Sequence, residues 1–383
     1  MKQADMNQNL YLDNNATAPI KPKAAEAVIR ALEMTGNLSS VHRYGRMVRP
    51  IVEEARDRVA ALLGADPANV VFTSGGTEAN NMAVLGGGRQ VIVSAVEHPS
   101  VMKAAPGAKV IPVDGDGVVD TEALDAMLLA AGEPVLVSVM LANNETGAVQ
   151  PLAEVTSIAH RHGASVHCDA VQAAGKMAID MNSLGVDGLS ISAHKLGGPP
   201  GVGALVVTSG ARFDSLLKGG GQERGRRAGT ENVPGIAGFG AAAELAFDDL
   251  DEFAGLALLR DEMERRIGEA CPPVVFFSQG AERLANTSSF ALPGVEGDSC
   301  VMALDLAGIA VSAGSACSSG KVHASHVLKA MGVDDRLSAS AIRVSMGWTT
   351  KKGDIERFIG AWSKIAASGS ASPRVSGSLE PAA

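Results

Sequence analysis

The segment GLSISAHKLGGPPG, residues 188–201, decides the fold. Its first five residues, Gly188–Ser192, are small or apolar and read as a buried strand. They run into His194, Lys195 and a turn rich in glycine and proline. The ordinary fate of a lysine after a strand is the surface. The position of Lys195 argues for more than that. In sheets built of strand–helix–strand units, ligands sit beyond the carboxyl ends of the strands. A lysine there can form a Schiff base once its pKa is lowered. Ser192 and His194 are placed to hold a phosphate beside it.

Short β-rich runs of the same kind lie on both sides: Val70–Phe72, Val91–Ser94, Lys109–Val113, Val135–Met140, Ser165–His167 and Val202–Val207. Helical stretches such as Thr121–Ala130 and Leu152–His162 separate several of them. The alternation predicts an α/β fold with a mostly parallel central sheet. Upstream, Tyr11–Pro19 reads as an extended entry segment. Helical patterning follows from about Lys23, and again from Pro50 to Leu63, where Gly64 stops it. Downstream, one long helix is expected from Ile236 to Ala270, with a break near Ala254–Gly255 and an end at Pro272-Pro273.

A second series then begins, with Ser288–Leu292, Ser299–Leu306, a helix over Ser325–Met331, a strand at Ala341–Ser345 and a helix over Lys352–Ala366. A chain of 383 residues is too long for one simple core. The expected division is a large domain over 14–256 and a smaller α+β domain made of 1–13 and 257–367. The tail 368–383, rich in Ser, Pro, Gly and Ala, is expected to be disordered.

Composition narrows the function. The formal net charge of -9 argues against nucleic acid or an anionic membrane as the main partner. The four cysteines, Cys168, Cys271, Cys300 and Cys317, are widely spaced with no CxxC pair. Neither a structural zinc site nor a disulfide framework is expected, and no bound metal. The first ten residues are polar and unlike a signal peptide. No apolar run is long enough to span a membrane. A reducing, cytoplasmic setting is the expectation, in which a free thiol stays available.

Four more segments follow predicted strands. Ser74-Gly75-Gly76-Thr77-Glu78-Ala79-Asn80-Asn81 is a glycine turn opening a helix, which suits a phosphate, with Thr77 adding a hydroxyl. It matches neither a Walker loop nor a dinucleotide fingerprint. Glu97-His98-Pro99-Ser100 places a histidine that would lie on a cofactor ring and move protons. Asn143-Asn144-Glu145-Thr146-Gly147 reads equally well as turn chemistry. His167-Cys168-Asp169-Ala170-Val171-Gln172 supplies an acid. Pyridoxal phosphate needs such a partner for its ring nitrogen. Taken alone, Asp169 reads better as a helix N-cap. Five turns bringing Thr, His, Asn, Asp, Gln, Ser and Lys to one rim exceed what turn preference explains.

These segments together resemble a cysteine desulfurase of the class-V aminotransferase family, within fold type I of the pyridoxal-phosphate enzymes. The resemblance runs through YLDNNAT from Tyr11, NLSSVH at Asn37–His42, TSGGTE, EHPSV, NNETG, HCDAVQ, SAHK, GGGQERGRRAGTENVPGI at Gly219–Ile236, SAGSACSSG at Ser312–Gly320 and AIRVSMG at Ala341–Gly347. It implies a role for each matching residue. Lys195 would carry the cofactor, Asp169 would face its ring nitrogen and Gln172 its phenolic oxygen. His98 would stack on the ring. Gly76, Thr77, Ser192 and His194 would bind the phosphate, and Thr230 the phosphate of a neighbouring subunit, in a homodimer. Asn144 would also touch the cofactor. Asn144 and Arg343 would hold the substrate carboxylate, which suits a guanidinium. Without the motif, Arg343 reads as a strand-edge ion pair.

The resemblance further implies that L-cysteine is converted to L-alanine, with Lys195 removing the Cα proton and Cys317 taking the sulfur as a persulfide. The run of small residues around Cys317 predicts a mobile loop. A buried, inert cysteine describes Cys271 or Cys300 better. The expected partners are L-cysteine and a sulfur acceptor, such as an iron–sulfur scaffold protein. Gln222 stands where many relatives have His, and Gly219–Asn232 resembles the branch that serves nitrogenase. A selenocysteine lyase or related pyridoxal-phosphate lyase is the alternative, because it would share the cofactor residues and need Cys317 less. A non-catalytic sulfur-relay subunit would not need the complete set of cofactor residues present here.

Overall fold

The structure, a computed structural model, describes residues 9–132, 134–211, 214–314 and 325–370. Its centre is a seven-stranded sheet built from β1 (Val70–Thr73), β2 (Gln90–Ser94), β3 (Lys109–Ile111), β4 (Val135–Ser138), β5 (Ser165–Asp169), β6 (Gly188–Ser192) and β7 (Gly203–Val207). The spatial order is β1-β7-β6-β5-β4-β2-β3. Pairings from β3 through β6 are parallel. Only β7 runs the other way, between β6 and β1. The sheet is thus mixed but mostly parallel, as the alternation of strands and helices predicts. Every residue of β1, β4, β6 and β7 is buried. Strands covered on both faces read as continuous apolar runs for that reason.

Helices cover the sheet. Two of them, α1 (Pro22–Leu32) and α2 (Arg43–Leu62), pack against α4 (Val233–Asp248), and α3 (Gly76–Leu85) directly follows β1. In α4 the residues Gly235–Ala243 are all buried. A Cβ on Gly240 would lie 2.6 Å from Ala55 Cα, so only glycine permits this approach of α4 to α2.

The start of α2 departs from expectation. The sequence reading began this helix at Pro50, a favourable first position. The helix instead begins at Arg43 and carries Pro50 inside. Proline there supplies no N–H to the carbonyl of Arg46, at a cost of about 3 kcal/mol. Val48, Val52, Ala55 and Val59 form one buried stripe across it. Burying Val48 in register with the rest offsets the lost bond. The long helix expected over Ile236–Ala270 breaks at Gly255, as expected, and also at Asp249, which makes three helices, Val233–Asp248, Leu250–Ala254 and Leu256–Ala270. The C-terminal helix, Lys352–Ser370, runs four residues past the expected Ala366.

A second hydrophobic core gathers Leu10, Leu12, Met263, Ile267, Phe290, Ile342, Val344, Phe358 and Trp362. It packs on a four-stranded antiparallel sheet of β8 (Val275–Phe276), β9 (Thr287–Ala291), β10 (Ser312–Ala313) and β11 (Ala341–Ser345), in the order β10-β11-β9-β8. The N-terminal segment joins the two cores. Leu10–Tyr11 pairs with Ile309–Ala310, and Asp13 bridges to Ser345. The chain then passes over the carboxyl ends of the large sheet. No helix among the described residues is long and apolar enough to cross a membrane.

Candidate active site

The carboxyl ends of β1, β2, β4, β5 and β6 open on a cavity of about 470 Å³. Ten of the twelve sequence-predicted site residues line it: Gly76, Thr77, His98, Asn144, Asp169, Gln172, Ser192, His194, Lys195 and Arg343. The other two do not. Thr230 is exposed and lines an adjoining cavity, which shares Ser74 and Gly201 with the first. Cys317 lies outside the described residues.

Asp169 ends β5 and is 5% exposed. Its Oδ1 accepts from the backbone N–H of Val171 at 3.0 Å, and its Oδ2 accepts from Asn80 Nδ2 at 2.6 Å. The N-cap reading fails, because turns and not a helix follow Asp169, and its Oδ1 closes a turn instead. Asn80 sits one helical turn beyond Gly76 on the same face of α3. It also donates to Ser100 Oγ at 2.9 Å, which lies 2.7 Å from His98 Nδ1. Since Ser100 N–H donates to the same ring nitrogen, Nδ1 is unprotonated and the neutral ring carries its proton on Nε2. Burial keeps the pKa of His98 below the usual imidazole value; Asp169 opposes that effect while Lys195 and His326 add to it.

One end of the cavity suits an anion. Helix α3 starts at Gly75 with no side-chain cap, so its first-turn N–H groups remain for a ligand. A Cβ on Gly76 would lie 2.7 Å from Val171 Cγ2 and 3.5 Å from Ser192 Cβ, so backbone, not side chain, forms this wall. Thr77, Ser192 and His194 stand around it. Burial, with Lys195 adding, lowers the His194 pKa to about 4, which leaves the ring neutral. An acid in the cavity wall, a lysine at a strand end and an uncapped glycine-rich helix start are the donor set that pyridoxal phosphate requires.

Lys195 follows β6, and its Nζ donates to the backbone carbonyls of Asn15 at 2.6 Å and Ala16 at 2.8 Å. The Asn15 carbonyl also accepts from Gln172 Nε2 at 2.9 Å. On the side facing the second core, Arg343 is 2% exposed in β11, an inner strand of its sheet. Its Nη1 donates to the Asn144 carbonyl at 3.0 Å and its Nη2 meets Asp13 Oδ1 at 2.6 Å. The ion pair that the bare sequence suggested for Arg343 is thus present, with Arg343 also on the cavity wall.

Two buried acids flank the site. Burial pushes the Glu97 carboxyl up to about 8 against hydrogen bonds from Ser94 and Met140, with Asp169 adding to the rise. Burial pushes Glu145 up to about 7 against its bond from the Ser325 hydroxyl and the charge of Arg343. Sequence reading assigned no role to Asp13, Asn15, Asn80, Glu97, Glu145 or Lys176. Asn80 left a signal in its spacing of four from Gly76, and Asp13, Asn15, Glu97 and Glu145 lie inside the quoted motifs YLDNNAT, EHPSV and NNETG. Cys168 is fully buried in the large core, where burial raises its thiol far above the ordinary value. Cys300 is likewise buried, while Cys271 is only half-buried.

Comparison with known proteins points one way. The family described as "Aminotransferase class-V" matches residues 10–358. A cysteine desulfurase of Sinorhizobium fredii is 43% identical over 91% of this chain and 94% of that protein. One from Cereibacter sphaeroides is 44% identical over 92% of this chain and 94% of that protein. Among solved structures, a NifS-like protein from Rickettsia africae superposes with a TM-score of 0.87 at 36% identity, covering 94% of this chain and 99% of that one.

Proposed function

The chain belongs to the class-V aminotransferase family and is a pyridoxal-phosphate-dependent cysteine desulfurase of fold type I; from that premise, we propose that it moves the sulfur of L-cysteine onto its own Cys317. The observation that carries this reading is the convergence on one cavity of Asp169, Lys195 and His98, which follow three strands of the large sheet, with Arg343 from within a strand of the smaller one. A solved neighbour titled "SspA in complex with cysteine", 28% identical with a TM-score of 0.75, supports L-cysteine as the substrate.

When bound, pyridoxal phosphate withdraws electrons from the substrate's α-carbon. Asp169, held by Asn80 and the Val171 N–H, would face the ring nitrogen, with Gln172 beside it and Gly76, Thr77, Ser192 and His194 around the phosphate. Arg343, backed by Asp13, would take the substrate carboxylate next to Asn144. Two aligned N–H donors fix a carboxylate's orientation as well as its charge. Lys195 Nζ would remove the Cα proton and later return one. Lys195 would carry the cofactor until substrate arrives; when it carries none, the carbonyls of Asn15 and Ala16 hold its amine at the cavity wall. His98 would hold a proton at Nε2 over the site.

Cys317 would attack as the thiolate. Its sulfur forms a bond to the substrate sulfur as the substrate's C–S bond breaks. The product carbon takes a proton, L-alanine leaves and Cys317 keeps the sulfur as a persulfide.

The exposure of Thr230, outside its own chain's cavity, supports a homodimer in which it reaches the neighbouring phosphate. The NifS-like neighbours and the sequence of Gly219–Asn232 support a role in supplying sulfur for iron–sulfur clusters, with a scaffold protein as acceptor. A cytoplasmic setting fits that role. Incubation with L-cysteine followed by mass spectrometry tests the central step. One added sulfur atom on the Cys317 peptide is expected; no added sulfur, or sulfur on another cysteine, would overturn it.

A further inference from the structure

Lys176 lies behind the cavity and is 4% exposed. Its Nζ meets Asn15 Oδ1 at 2.7 Å and Gln172 Oε1 at 2.8 Å. Among the described residues its hydrogen-bond partners are thus two amide oxygens and no carboxylate. Burying an amine without an anion is costly, so this arrangement calls for a reason. Burial, with Lys195 and Arg343 adding, holds its pKa well below the usual lysine value. A neutral amine has two N–H groups, matching the two acceptors, and leaves no buried proton unpaired.

Both amides belong to residues that line the site. Heavy-atom positions do not distinguish the nitrogen of an Asn or Gln amide from its oxygen; the bonding network assigns them. Here Lys176 is the donor common to both amide oxygens, with Asn286 a second donor on that of Asn15. With Oε1 facing Lys176, Gln172 has its Nε2 on the Asn15 carbonyl, and the second proton of that nitrogen remains on a residue that lines the cavity. With Oδ1 facing Lys176 and Asn286, Asn15 turns its Nδ2 to the Asn144 carbonyl at 3.2 Å and to Thr287 Oγ1 at 2.9 Å. The Asn15 main-chain carbonyl in turn receives Lys195.

We propose that Lys176 is a positioning residue: its donor bonds fix the sense of the Gln172 and Asn15 amides, so that Gln172 offers an N–H to bound pyridoxal phosphate and Asn15 holds the Asn144 loop. The proposal rests on the reading that this cavity holds that cofactor. A lysine at this position is then needed as a donor and not as a charge. Without it, only the Asn15 carbonyl still holds the sense of Gln172, and a flip would offer an oxygen to an oxygen of the cofactor, which repels.

The test uses cofactor-free full-length chains of the wild type, Lys176→Met, Gln172→Leu and the double variant, titrated with pyridoxal phosphate and followed by absorbance. Each single variant is expected to bind about tenfold more weakly, with the same displacement of the bound cofactor's absorbance maximum, and the double variant no more weakly than either. A purely structural lysine would not give this non-additivity. Wild-type affinity in Lys176→Met would overturn the proposal, and so would additive losses in the double variant. Failure of the wild type to bind would instead sink the cofactor reading. If Lys176→Met does not fold, a neutron structure of the wild-type holoenzyme decides: Gln172 Oε1 on Lys176 is expected, and the reverse sense overturns the proposal.

Discussion

Asn80 Nδ2 stands 2.6 Å from Asp169 Oδ2, and the same amide reaches Ser100 Oγ, the hydroxyl that contacts His98. A neutral donor thereby links the carboxylate expected under the cofactor ring to the histidine expected over it. Asn80→Asp would put two carboxyl groups in that space. Groups about 3 Å apart cannot both ionise, so they would share a proton. A loss in kcat on L-cysteine of at least about 100-fold is expected, a little under 3 kcal/mol. Steady-state assay checks it, with thermal melting to confirm the fold. An unaltered kcat would show that Asp169 does not need its charge.

Arg343→Lys tests the carboxylate site. Lysine is a point charge and cannot reproduce the fork that meets both Asn144 and a carboxylate. KM for L-cysteine should rise about tenfold or more, with a smaller change in kcat, because ground-state binding is lost. A kcat loss with unchanged KM would assign Arg343 to the chemistry instead.

Glu97 gives a pH signature. Its carboxyl is raised from 4.5 to about 8 by burial, so the folded protein holds this proton more tightly than the unfolded chain. The stability it contributes is complete below about pH 4 and is lost as pH rises through about 8. Glu97→Gln cannot ionise. Its melting temperature should gain on the wild type between pH 5 and pH 9 by several degrees, at about 2–4 °C per kcal/mol. A difference that is flat with pH would mean that Glu97 is ionised throughout.

Gly76→Ala tests the close wall of the anion site. The added methyl would meet Val171 Cγ2 at 2.7 Å, with no backbone strain involved. A destabilisation of about 1–3 kcal/mol is expected from overpacking, with weaker cofactor binding. Val171→Ala in the same chain should restore part of both in denaturant melts and cofactor titration. Absence of rescue would place the cost elsewhere.

Much of this protein was legible in its residues. The β-rich runs between helical stretches led to the large sheet, and their expected ends at Phe72, Ser94, Met140, His167 and Ser192, each within two residues of the observed end, led to the cavity. These are short-range signals. Burial on both faces makes a strand continuously apolar, and a ligand site at its end interrupts that run with polar residues. The errors were of the same origin. Pro50 is locally a helix start, and only the packing of Val48 beside Val52 overrides it.

The sequence alone pointed to the residues proposed to carry the chemistry, because their motifs are local: Lys195 after its strand, Asp169 after another, the glycine turn before Thr77. Tertiary structure decided what holds them. Asp13 pairs with Arg343 across 330 positions, Asn15 reaches Thr287 across 272, and Lys176 reaches Asn15 across 161. No periodicity records such partners. A hydrogen bond depends on where the chain returns in space, and that is settled only when the two cores close over the segment from Leu10 to Ala16.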